Sequence, residues 1–204
     1  VQSLPFTAGE EAVTERGEPV EEITFDYPDL DIDFAAFTQV NPDFVGVLYI
    51  PSLELRYPVL QGKDNEEYLH KTYDGIANSA GAIFLDFLAS RNLEDRNTFV
   101  FGQNMKNGSM FGSLKKFTSD ETLAAGDPFI YFYTSDAVRK YEIFSFYYSF
   151  VGSDAYQNFA GDAGYDEYVE KATYHWTELD DLYGGNLDTH TEIYSYYNGS
   201  RTYL

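Results

Sequence analysis

The chain has three histidines, His70, His175 and His190, and no cysteine. Without a thiol there is no cysteine nucleophile, no thiolate metal site and no disulfide. The histidines do not have the spacing of a metal site, so each reads as a surface or packed side chain. Acid pairs such as Asp120-Glu121 and Asp180-Asp181 have the chemistry of a glycosidase acid and base. With 34 acids in 204 residues, such pairs arise by chance. No Asp-x-Asp-x-Asp-Gly calcium loop occurs, which leaves only loose Ca²⁺ association with an acidic surface. Gly108 to Gly112 lacks both the strand–loop–helix setting and the Lys-Ser/Thr ending of a phosphate loop. No metal or other cofactor is expected.

The elements that must position any site come from a chain that is 44 % hydrophobic and carries a formal net charge of −21. The apolar content suits one folded domain with a sizeable core. The charge argues against nucleic acid and against an anionic membrane surface, both of which need clustered Lys and Arg. No apolar run approaches the roughly 20 residues of a spanning helix, and no signal peptide is visible. Any anchor would therefore lie outside these residues, and no direct membrane contact is expected of them.

Residues 1–33 form an acidic extension or stalk. Ten acids stand against one base, Arg16, between Glu10 and Asp33, and Pro19 and Pro28 break any long helix. The domain proper spans 34–204. It opens with a short helix near Asp33–Gln39, capped by Asp33 and striped by Phe34 and Phe37. Strands are expected at Val47–Ile50, Leu53–Tyr57, Ala82–Leu85 and Thr98–Phe101, with a turn at Pro51-Ser52. Phe129–Tyr133 and Lys140–Phe150 pair around Ser135-Asp136. Glu192–Tyr197 and Arg201–Leu204 pair across Asn198-Gly199, a strong hairpin signal. Helical pieces are expected at Glu66–Thr72, Met110–Phe117, Asp120–Ala125 and Tyr165–Tyr174. Many short strands with small helices between them predict a mostly β, closed or sandwich-like architecture. The 19 Tyr and 17 Phe are mainly core, with a tyrosine-lined groove for an extended ligand as the sharper alternative.

Several blocks, read in order, carry a resemblance. Asn41-Pro42-Asp43-Phe44-Val45-Gly46-Val47-Leu48-Tyr49-Ile50-Pro51 leads into Tyr57-Pro58-Val59-Leu60-Gln61-Gly62-Lys63-Asp64-Asn65 and Tyr68-Leu69. Gly81–Asp86, Asn97–Gly102 and Asn104-Met105-Lys106-Asn107-Gly108-Ser109-Met110-Phe111-Gly112 come next. Together they resemble the class B sortases, densely over 41–117 and more weakly to the C-terminus. The resemblance implies an eight-stranded closed β-barrel with short peripheral helices and an N-terminal helical extension. It also implies a surface-displayed transpeptidase that cuts a sorting motif and passes the acyl group to a cell-wall amine. In that chemistry a cysteine attacks, a histidine handles protons and an arginine stabilises the oxyanion or holds the substrate.

The chain departs from the family at the reacting groups. The family's Gly-His-Asn-Met block reads Gly102-Gln103-Asn104-Met105 here. A carboxamide hydrogen-bonds but exchanges no proton near neutral pH. The family's Thr-Leu-x-Thr-Cys strand aligns with Glu192–Tyr197, which puts Tyr196, or Tyr197 one residue on, at the cysteine position and Ser195 at the threonine. A phenol of pKa about 10 is a poor nucleophile without an activating base. Arg201 stands at the arginine position. Asn65 and Leu69 match groove-lining positions, with Tyr194, Ser195 and Tyr196 along the floor. Leu4-Pro5-Phe6-Thr7-Ala8-Gly9 resembles a sorting motif but lies at the wrong end of the chain for one.

The expected protein is therefore a catalytically inactive, class B sortase-like protein, a peptide-binding or assembly module on the outer face of a Gram-positive bacterium. Its partners would be a peptide or protein with a sorting-like motif, or an active sortase or pilus subunit. The alternatives are an active transpeptidase or hydrolase with a non-cysteine nucleophile, such as Tyr196 or Ser195, and a purely structural surface domain.

Overall fold

A computed structural model describes residues 27–95, 97–120, 122–150, 164–169 and 189–197. The chain divides into two units, Val1–Leu30 and Asp31–Leu204.

The second unit begins with helix α1, Phe34–Val40, whose N-terminus is capped by the Asp33 carboxylate accepting from Ala36 N–H at 2.9 Å. The cap satisfies one of the backbone donors a helix start leaves open. Phe37 stacks on Phe44 with centroids 4.8 Å apart, which fixes the helix to the first strand.

Seven strands form one sheet: β1 Phe44–Ile50, β2 Leu55–Leu60, β3 Ile83–Leu85, β4 Val100–Phe101, β5 Phe129–Tyr133, β6 Val138–Phe150 and β7 Thr189–Tyr197. Their order is β4-β3-β2-β1-β5-β6-β7, and among the described residues only the β2–β3 pair is parallel. Alternation decides the faces. On β5, Ile130 and Phe132 enter the core beside Leu48, Val59, Ile83 and Phe117, while Phe129, Tyr131 and Tyr133 line the other face. Lys140 on β6 sits 3.9 Å over the Phe129 ring.

The described residues thus give a mostly β fold of seven strands in one sheet, with β4 and β7 at its edges, and this much of the expected barrel lies within them. The eighth strand, Arg201–Leu204, and its turn at Asn198-Gly199 lie outside the described residues. Other expectations shift. The second strand starts at Leu55, because Pro51–Leu53 takes a 3₁₀ turn closed by Glu54 at φ 51°. The fourth shrinks to Val100–Phe101. Met110–Phe117 resolves into a 3₁₀ turn, Phe111–Ser113, and a short helix, α2, Lys116–Ser119. The next helix, α3, runs Thr122–Gly126, and 165–169 is helical.

Glu66–Thr72 is not a helix. Its carbonyls are taken by distant partners: Tyr68 O accepts from Ala82 N–H at 3.0 Å and His70 O from Asn78 N–H at 2.9 Å. These cross-chain bonds replace the i→i−4 ladder.

Candidate functional site

The wall that carries Gln103 is built from the end of β4. The Gln103 carbonyl accepts from Met105 N–H at 3.1 Å and from Phe111 N–H at 3.0 Å, closing a tight loop. Asn104 and Met110 bridge across it. Met110 adopts φ 51°, uncommon for a side chain of its size, and its N–H donates to the Tyr57 hydroxyl at 2.9 Å. Gly112 lies against the Met105 carbonyl so closely that a Cβ there would collide with it. A β2 tyrosine and one glycine therefore set the loop that presents Gln103.

Leu69 arrives from the other side. Asp64 accepts from Glu66 and Glu67 N–H at 3.1 and 2.9 Å and turns the chain after β2. Tyr68 is then buried, its hydroxyl donating to Asp43 at 2.6 Å and accepting from the Asn41 amide at 3.1 Å. Burial, reinforced by the bond to Asp43, pushes the Tyr68 phenol up to about 12. Gly81, at φ +61°, passes close under the Leu69 carbonyl, where a side chain would not fit. Into this frame Gln103 Nε2 donates to the Leu69 carbonyl at 3.2 Å. The structure thus brings together two of the expected site residues, through a side chain and a backbone oxygen. Gln103 Oε1 has no partner among the described residues. The amide's orientation is fixed by its donor, which leaves a defined acceptor on the other side.

Asn65 stands nearby in the chain but is committed elsewhere. Its Nδ2 donates to Asp86 at 3.2 Å and its Oδ1 accepts from Phe87 N–H at 3.0 Å, so both ends of the amide hold the turn after β3. Tyr194, Ser195 and Tyr196 lie on β7, opposite Ser145, Ile143 and Glu142 of β6, where the register shifts by a bulge. In strand order β7 is at the far end from β4, and among the described residues no strand pair joins Tyr196 to the Gln103 wall. Arg201, His175, Asp180-Asp181 and Leu4–Gly9 lie outside the described residues. His70 is exposed and His190 pairs with Ser149 across β6 and β7. Glu67 is held below the usual carboxylate range, first by its bond to Lys71 at 3.1 Å and then by Lys63 N–H. Among the described residues no cluster of His, Asp and Glu could hold a metal, and no helix is long and apolar enough to cross a membrane.

The roles of Tyr57 and Gln61 were not legible in the sequence. Both fall in the Tyr57–Asn65 block, but their bonding partners lie 25 to 53 residues away, beyond any local signal.

No family model matches the chain. Sortase B of Listeria monocytogenes is 35 % identical over 136 residues, which make up 65 % of this chain and 54 % of that protein. A solved Bacillus anthracis structure described as similar to sortase B is 33 % identical over 75 % of this chain and 69 % of its own, with a TM-score of 0.63. The chain belongs to the class B sortase family. Its sheet is accordingly the mostly β, sortase-type fold. A Staphylococcus aureus sortase B–substrate complex also aligns, at 25 % identity, over 69 % of this chain and 65 % of that one, with a TM-score of 0.64. The chain spans about half the length of the Listeria relative. It has no cysteine, in keeping with a missing catalytic thiol.

Proposed function

We propose that this protein is a catalytically silent class B sortase relative that holds an extended peptide without cutting it. One observation carries the reading. At the position where the resemblance expects a proton-handling histidine, Gln103 uses its Nε2 to fasten the Leu69 carbonyl, and a carboxamide neither takes nor gives a proton near neutral pH. The absence of cysteine anywhere in the chain supports it. The aligned Staphylococcus sortase B–substrate complex supports a bound ligand, and within this reading that ligand is a peptide with a sorting-like motif.

Within this reading Gln103 and Leu69 form one wall of the groove. Tyr196 takes the nucleophile's place, and Tyr194 and Ser195 lie beside it. Arg201 holds a peptide carbonyl or carboxylate. The sheet completes as a closed eight-stranded barrel with Arg201–Leu204 as its last strand, which fits two edge strands, β4 and β7, and the Asn198-Gly199 turn signal. Residues 1–33 form an acidic stalk, and the module works at the surface of a Gram-positive cell, as an assembly partner of a sortase or pilus subunit.

The test is incubation with fluorogenic sorting-motif peptides and an amine nucleophile. Binding without turnover above a no-protein control is expected. The double change Gln103→His with Tyr196→Cys is expected to restore weak turnover. Turnover by the unaltered chain that disappears in Tyr196→Phe or Ser195→Ala would overturn the reading.

A further inference from the structure

The turn after β3 is held by side chains from three directions. Gln61 Nε2 donates to the Asp86 carbonyl at 2.9 Å and to the Ala89 carbonyl at 2.6 Å. Asn65 holds Phe87 N–H, and the Asp86 carboxylate accepts from Leu88 N–H at 3.1 Å. Ser90 Oγ donates to Asp95 at 2.8 Å, and Arg91 reaches across to the Phe44 carbonyl at 2.8 Å. At the crest Phe87 and Leu88 leave 44 % and 68 % of their surface open.

A single exposed apolar residue on a loose loop needs no explanation. Two adjacent ones on a turn this firmly fixed are different. Binding energy concentrates in apolar anchors that lose little freedom on docking, and these two sit on a backbone that is already ordered.

The surrounding charges define what they would meet. In sequence the acids Asp64, Glu66, Glu67, Glu94 and Asp95 stand around the turn against the bases Lys63, Arg91 and Arg96, so acids outnumber bases there. Lys63 is the only base in 61–67, and the Arg91 guanidinium is turned to the Phe44 carbonyl. A second copy of a chain with net charge −21 is repelled, and so is its own leader, with ten acids against one base between Glu10 and Asp33.

We propose that Phe87 and Leu88 are the docking point for a basic partner protein, one that presents an extended segment of alternating apolar and Lys or Arg residues. The surface uses neither Gln103 nor Leu69, and it shares only Asn65, which holds Phe87 N–H, with the expected groove.

The probe is a labelled synthetic peptide alternating Leu and Lys, compared by fluorescence anisotropy with one alternating Ser and Lys. The full chain should prefer the Leu-Lys peptide by about tenfold, from burial of the two anchors. The double variant Phe87→Ser with Leu88→Ser keeps every charge and should lose that preference, whereas Ile76→Ser, at an exposed apolar residue outside the turn, should keep it. Equal binding of the two peptides, or a preference that survives in the double variant, would overturn the docking point and leave only diffuse attraction to an acidic chain. A self-association abolished by Leu88→Ser would assign the surface to a second copy and overturn the basic partner.

Discussion

Around Gln61 two carbonyls converge on one amide nitrogen, at 2.9 and 2.6 Å, in a buried residue that ties the end of β2 to the turn after β3. Around Gln103 a single carbonyl lies at 3.2 Å, in a half-buried residue that ties the end of β4 to the Leu69 segment. Both side chains fasten a backbone that sequence leaves far away. The first clamp is sealed and purely architectural. The second is lighter and keeps an acceptor unpartnered among the described residues, and it stands where the family resemblance expects chemistry. The contrast separates a residue the fold cannot release from one the fold merely uses.

The sharpest way to break the contrast is to remove the loop that supports the lighter clamp. Gly112→Ala places a methyl against the Met105 carbonyl, and the backbone must shift to admit it. A loss of about 3 kcal/mol in unfolding free energy is expected, as for overpacking at a site with no slack. Urea unfolding measures it, and a loss below about 1 kcal/mol would mean that the 103–112 loop bends freely.

Gln61→Leu comes next. It leaves the Ala89 carbonyl without the donor it now has, at an expected cost of about 2 kcal/mol. Hydrogen exchange at Phe87 and Leu88 should accelerate at the same time. Unchanged exchange there would show that Asn65 and Asp86 hold the turn without Gln61.

These two positions also show what was legible in the sequence. The strand Phe129–Tyr133 was, because its apolar residues alternate and turn residues bound it. The helix at Phe34–Val40 was, because Asp33 announces the cap. Glu66–Thr72 misled, because its carbonyls bond to Asn78 and Ala82, and no local pattern signals such partners. The chemical identity of the residue at 103 was legible from its motif. Its bond to Leu69, 34 residues away, was not. The strand at Ala82–Leu85 was legible too, but nothing in the sequence marks Phe87 and Leu88 just beyond it as surface, and only the turn shows them so.

Tyr68 tests the anchor of the segment on which Gln103 closes. Its phenol is pushed up to about 12 by burial and by Asp43, so the folded state favours the neutral form. The resulting stability is whole below pH 10, the ordinary value, and is lost as pH rises from 10 to about 12. Tyr68→Phe carries no such group. The stability difference between the unaltered chain and this variant should therefore shrink across that window and stay flat below it. A difference that is constant from about pH 8 to about 12 would place the phenol's environment much closer to water.

The smallest effect belongs to Gln103 itself, and its smallness is the point. Removing one hydrogen bond from a half-buried amide costs about 1 kcal/mol or less, so Gln103→Ala should barely move the unfolding midpoint. Gln103→Glu adds a sign to the size. A neutral carboxyl can donate to the Leu69 carbonyl and an ionised one cannot, so the introduced group should titrate above the usual value of about 4.3. Its contribution would be present at low pH and lost as pH rises through that raised value. Gln103→His keeps a donor and should cost little, and because the imidazolium donates more strongly than the neutral ring, its contribution should weaken as pH rises through the histidine's own titration. A large loss in Gln103→Ala would make Gln103 a second sealed clamp like Gln61. The fold, rather than the loss of proton transfer, would then be what retains an amide at this position.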